Sequence, residues 1–123
     1  MSKVKILVVD DSISLRTISK KILSGQDDFN VIGEAADGAQ ALELLKTVEP
    51  DVIILDLVMP IMDGKETLSK IMERGHKAKV VIASSVGGED SVEECLKLGA
   101  TSYVQKPYEH EDLVRVVRLA NAS

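Results

Sequence analysis

The 123-residue chain holds one cysteine, no tryptophan, two tyrosines, one phenylalanine and three prolines. A single cysteine cannot close an internal disulfide, which suits a reducing compartment and a cytoplasmic setting. No apolar run approaches the ~18 residues of a membrane-spanning helix, so no membrane contact is expected. The opening apolar run ends at Asp10 and Asp11 instead of a small-residue cleavage site, and it is not expected to be a leader. Basic residues are the minority, 15 Lys and Arg against 20 Asp and Glu, for a net charge of −5. A general nucleic-acid binder carries the opposite excess on one face, so direct DNA or RNA binding is not expected. With 45% apolar and 28% charged residues, the balance is that of a globular chain and not a disordered one. The length fits one domain, residues 1–123, without linker, repeat or low-complexity tract.

Two periodicities alternate along this domain. Val4–Val9, Phe29–Ala35, Val52–Leu55, Lys79–Ala83 and Thr101–Val104 are short runs rich in Val and Ile. The first, third and fourth are apolar without alternation, as strands covered on both faces are. Helix-period stripes lie between and after them: Leu15, Ile18 and Ile22; Ala41, Leu42 and Leu45; Leu68, Ile71 and Met72; Val92, Cys95 and Leu96; and Leu113, Val116, Val117 and Ala120. Asp37 with Gln40, Asp63 with Glu66 and Asp90 with Glu93 have capping-box spacing. Gly25 and Gly99 stand where helices should stop. Five strand–helix repeats with short connections predict one parallel sheet with helices on both faces. In such sheets ligands bind beyond the carboxyl ends of the strands.

Those ends carry the chemistry. The first strand leads to Asp10 and Asp11, the third to Asp56, the fourth to Ser84 and Ser85, and the fifth to Lys106 and Pro107. Three carboxylates held together repel one another and call for a cation. Hard oxygen ligands with room for water suit Mg²⁺, and Mn²⁺ would also serve. Lys106 supplies a point charge for an anion sharing the site. Asp10 and Asp11 also have a plainer reading as caps of the first helix, and Ser84 one as a hydroxyl bonded to nearby backbone. Asp56 is harder to explain that way, because a carboxylate closing an apolar strand loses hydration without local return.

Taken in order, the segments Val8-Val9-Asp10-Asp11-Ser12, Asp56-Leu57-Val58-Met59-Pro60, Met62-Asp63-Gly64, Ala83-Ser84-Ser85, Leu98-Gly99-Ala100 and Tyr103-Val104-Gln105-Lys106-Pro107 span the whole chain. The chain resembles the receiver domain of two-component response regulators, most of all the stand-alone chemotaxis type and the receivers of chemotaxis methylesterases. The resemblance implies a flavodoxin-like α/β fold with strand order 2-1-3-4-5. It implies that Asp56 accepts a phosphoryl group from a partner histidine kinase or phosphotransfer protein. It also implies that Asp11, Asp56 and the backbone carbonyl of Val58 ligate Mg²⁺, with Asp10 acting indirectly. Ser84 and Lys106 would contact the phosphoryl group, and Tyr103 would be a switch aromatic. The switched surface would be that of the fourth helix, fifth strand and fifth helix, where an effector protein binds. The Lys106–Pro107 bond is expected to be cis, and the Val86–Asp90 segment to move.

Two positions depart from the best-known chemotaxis pattern. Val58 and Val86 are apolar where polar residues often stand, so neither can orient a water against the acyl phosphate. His76 and His110 read as solvated, Cys95 as a small buried hydrophobe, and Met59 and Met62 as packing residues. Three rival readings remain. A Mg²⁺-dependent aspartyl phosphohydrolase shares the acidic rim but needs a second acid two residues on, where Val58 stands. A flavin module lacks its phosphate loop and aromatic sandwich here. A receiver cut from a larger regulator would have its output beyond Ser123.

Overall fold

The computed structural model describes residues 3–123; Met1 and Ser2, where the segment read as carrying no leader begins, lie outside them. Strand and helix alternate as β1 (Val4–Val9), α1 (Ile13–Ser24), β2 (Phe29–Ala35), α2 (Gly38–Leu44), β3 (Val52–Asp56), α3 (Gly64–Glu73), β4 (Lys79–Ser84), α4 (Glu89–Leu98), β5 (Ser102–Gln105) and α5 (His110–Ala122). The strands form one sheet in the order β2-β1-β3-β4-β5, every pairing parallel. This is the flavodoxin-like arrangement expected from the sequence.

The apolar strands owe their lack of alternation to two cores. Leu7, Val9, Ile53, Leu55, Val80 and Ile82 face one side, where they meet Leu42 of α2, Leu68 and Ile71 of α3, and Val92 and Cys95 of α4. Ile6, Val8, Val52, Ile54, Val81 and Ala83 face the other and meet Leu23 of α1 with Leu113, Val116 and Val117 of α5. Successive residues of a strand point to opposite faces, so both faces need apolar side chains when both are covered.

Several local expectations are corrected. Strands β3 and β4 each run one residue further than expected, to Asp56 and Ser84, and β5 lies one residue later. Ile18 of α1 is exposed, while Ser19 and Leu23 are buried. Ser19 can turn inward because its hydroxyl donates to the carbonyls of Leu15 and Arg16 at 3.0 and 3.1 Å. Leu96 is likewise exposed on α4. Asp37 and Asp63 do cap α2 and α3, accepting from the backbone N–H of Gln40 and Glu66. Asp90 does not cap α4. That helix starts at Glu89 behind Gly88, so Asp90 lies within the first turn, where its charge meets the helix dipole instead. The segment expected to move, Val86–Asp90, therefore includes the first residues of α4.

Candidate functional site at the carboxyl edge of the sheet

Each strand end fixes one part of the site. The backbone N–H of Asp10 donates to Ala35 at 3.0 Å, tying the end of β1 to β2. Ser12, not an aspartate, caps α1 by accepting from Leu15 N at 3.2 Å. Asp10 and Asp11 are thus free of the capping role, although Asp10 Oδ1 accepts from Ser12 N at 2.9 Å. Asp56 is the last residue of β3, opposite Ala83 of β4. Ser84 closes β4 opposite Gln105, and its carbonyl accepts from Lys106 N at 2.7 Å. The Lys106–Pro107 peptide is cis, as expected.

The fold brings Asp10, Asp11 and Asp56 together, with one carboxylate oxygen of each within 4.8 Å of the others. Asp10 and Asp56 are buried and Asp11 is exposed. Lys106 Nζ lies 2.9 Å from Asp10 Oδ2 and 2.9 Å from Asp56 Oδ1. Burial lifts the Asp56 carboxyl above the usual carboxylate range. Lys106 opposes the shift, while the charges of Asp10 and Asp11 add to it. Burial works against the Lys106 ammonium too, but Asp10 and Asp56 outweigh it and hold the lysine above its ordinary value. The asymmetry is physical: one ammonium has two carboxylates to itself, while Asp56 has one ammonium and two like charges.

Among the described residues, Asp10 Oδ2 is the one buried side-chain polar atom without a well-formed hydrogen bond, with the Lys106 ammonium 2.9 Å away as its ionic partner. A buried carboxylate oxygen short of a well-formed hydrogen bond, beside two further carboxylates that share one ammonium, fits a divalent cation with oxygen ligands. The residues present therefore suit Mg²⁺.

The remaining expected residues surround this cluster. The Ser84 hydroxyl donates to the Ser85 carbonyl at 3.0 Å, the plainer of its two readings. Asp56, Val58, Ser84 and Val86 line one open cleft. Tyr103 points outward, 53% exposed, beside a cavity of about 230 Å³ that Ser84, Val92 and Leu96 also line. Cys95 is buried, and burial raises its thiol pKa. Met59 and Met62 pack into the core as expected. His110 is exposed, whereas His76 is half-buried.

Two neighbours went unnoticed in the sequence. Arg16 donates from Nη1 to the Asp10 carbonyl at 2.6 Å and from Nε to Glu34 Oε1 at 2.9 Å. No sequence signal points to it, since Arg16 lies on α1 and Glu34 is 18 residues away on β2. Tyr108, half-buried against the core of α1 and α5, has its phenol pKa raised by burial and further by Asp10 and Asp56. Its place two residues after Lys106 was the available hint.

The fold and the acid–lysine cluster define a flavodoxin-like α/β domain with an acidic site at its strand ends, and comparison with known proteins makes the class specific. Residues 6–118 match the response regulator receiver domain family, and the chain belongs to it. It is 42% identical over 117 residues to the nitrate/nitrite response regulator protein NarL of Escherichia coli, covering 95% of this chain and 54% of that protein. This chain thus spans about half the length of that relative. It is 36% identical over 116 residues to the chemotaxis protein CheY of Listeria monocytogenes, covering 94% of this chain and 97% of CheY. In structure it resembles the signal receiver domain of a NarL response regulator from Mycobacterium tuberculosis, with a TM-score of 0.94, 32% identity, and coverage of 100% and 99% of the two chains.

Proposed function

We propose that residues 1–123 act as a single receiver domain in the cytoplasm, taking a phosphoryl group from a phosphohistidine of a partner kinase or phosphotransfer protein onto Asp56. The observation that carries this reading is the buried Asp56 carboxylate at a strand end, clustered with Asp10 and Asp11 and paired with Lys106 at 2.9 Å. Asp11, Asp56 and the Val58 carbonyl would hold Mg²⁺, with Asp10 orienting its surroundings. The ion, when bound, screens the approach of two anions.

The chain's own residues supply position and charge. A bond from phosphorus to the donor imidazole nitrogen breaks as one to an Asp56 oxygen forms, and charge spreads over the equatorial oxygens. Lys106, 2.9 Å from Asp56, would pair with that charge at the expense of that contact. The Ser84 hydroxyl would leave the Ser85 carbonyl for a phosphoryl oxygen, drawing the Ser85–Gly88 loop with it. Space near Ser84 would then admit Tyr103 from its outward position. Leu96 and Tyr103, both exposed beside one cavity on α4 and β5, would give an effector protein at the α4, β5 and α5 face an apolar surface that this shift would reshape.

The test is intact-mass measurement after incubation with Mg²⁺ and a small-molecule phosphodonor. One base-labile, metal-dependent phosphoryl adduct is expected on the wild type and none on Asp56→Asn. No adduct with any donor or metal would overturn the reading.

A further inference from the structure

The carbonyl of Asp10 and the N–H of Asp11 belong to one planar peptide unit, so whatever holds that carbonyl sets the orientation of Asp11 relative to Asp10. Arg16 holds it at 2.6 Å through a charged donor, and charged hydrogen bonds are the stronger kind. The guanidinium is itself fixed by Glu34 at 2.9 Å, and Glu34 is held on its other oxygen by Lys20. Glu34 sits in β2 opposite Val8 of β1, two residues before Asp10. The Arg16 side chain is only 13% exposed, although it starts from a solvent-side helix. A planar fork spanning two elements in this way constrains the peptide more than a surface ion pair would.

We propose that Arg16, clamped by Glu34, is a positioning residue for the divalent cation, locking the peptide plane that sets the Asp10 and Asp11 carboxylates. The inference rests on the Mg²⁺ reading of the acidic cluster. Partners that orient metal ligands from outside the coordination shell typically change metal affinity by about 10–100-fold.

Charge alone predicts the opposite sign. Arg16 is a cation beside a cation site, so removing it would tighten metal binding if its field were all that mattered. Mg²⁺ binding to the purified protein is measured by titration calorimetry for wild type, Arg16→Gln, Arg16→Lys and Glu34→Gln. Apparent Tm is taken in chelator for each variant. Positioning predicts at least about ten-fold weaker Mg²⁺ binding for Arg16→Gln. It predicts weaker binding for Arg16→Lys, which keeps the charge and loses the fork, and near wild-type binding for Glu34→Gln, which keeps the acceptor. Unchanged or tighter binding in both Arg16 variants, whatever their Tm, overturns the inference and leaves the metal site standing. Should Arg16→Gln fail to fold, Arg16→Lys decides. Wild type and Asp11→Asn both failing to bind Mg²⁺ would overturn the metal reading and the inference with it.

Discussion

Ile61 adopts a φ of +69° while 82% exposed. A β-branched residue in left-handed backbone is strained, and its exposure means that little packing offsets the strain. Ile61→Asn should therefore stabilise the protein by about 1 kcal/mol. That corresponds to a rise of roughly 3–5 °C in Tm at this size, checked by thermal unfolding without metal. Val58 poses a chemical question instead. Its exposed side chain lines the cleft beside Asp56 and offers no group to orient water. Val58→Asn should shorten the lifetime of the Asp56 adduct several-fold, read by loss of the mass shift with time. Equal lifetimes would show that this position does not govern hydrolysis.

The charge of Asp56 also has a thermodynamic sign. Its folded pKa is raised, so between the unfolded and folded values the native state binds the proton more readily. Stability from this group therefore grows as pH falls through the raised value, and the ionised form costs stability above it. Asp56→Asn should melt above the wild type at pH 7 in chelator, with the gap closing as pH is lowered. A gap indifferent to pH would assign the effect to something other than the carboxylate charge.

Among the elements, the junction of β3 and α3 leaves no room for a side chain at Gly64. Gly64 donates to the Leu57 carbonyl at 2.9 Å, and a Cβ there would collide with the Asp56 carbonyl oxygen and come within 2.8 Å of Leu57 Cα. Gly64→Ala should cost about 1–3 kcal/mol in urea unfolding and disturb the residue that ends β3. The elements were legible in the sequence where one rule dominated. Unbroken apolar runs revealed β1, β3 and β4, and two Asp caps revealed α2 and α3. Legibility failed where a residue met its needs locally or far away. Ser19 bonds its own helix and so hides on the inner face, which rotated the reading of α1. Gly88 starts α4 without a side-chain cap, so the nearest aspartate was misread as one. Arg16 pairs across elements, a contact that no local pattern announces, whereas the aspartates and Lys106 are legible because each ends or follows a strand.

At the scale of the whole molecule, the proposed Mg²⁺ site would couple metal binding to folding. Any ligand of the native state alone adds stability by mass action, and Mg²⁺ at ten times its Kd should add about 1.4 kcal/mol. Thermal unfolding across a Mg²⁺ series should show this rise for the wild type and its loss in Asp11→Asn. Among the described residues no helix is long and apolar enough to cross a membrane.

Because all five strands run the same way, the acidic cluster gathers at one edge of the sheet and leaves the opposite edge apart from it. The connections at the opposite edge, around Pro50, Asp51, His76 and Lys77, line a hollow and hold none of the clustered acids. A dye or tether fixed at exposed Lys77 would ride on the domain without entering its chemistry. The protein thus comes with a built-in handle by which it can be watched, immobilised or joined to another module.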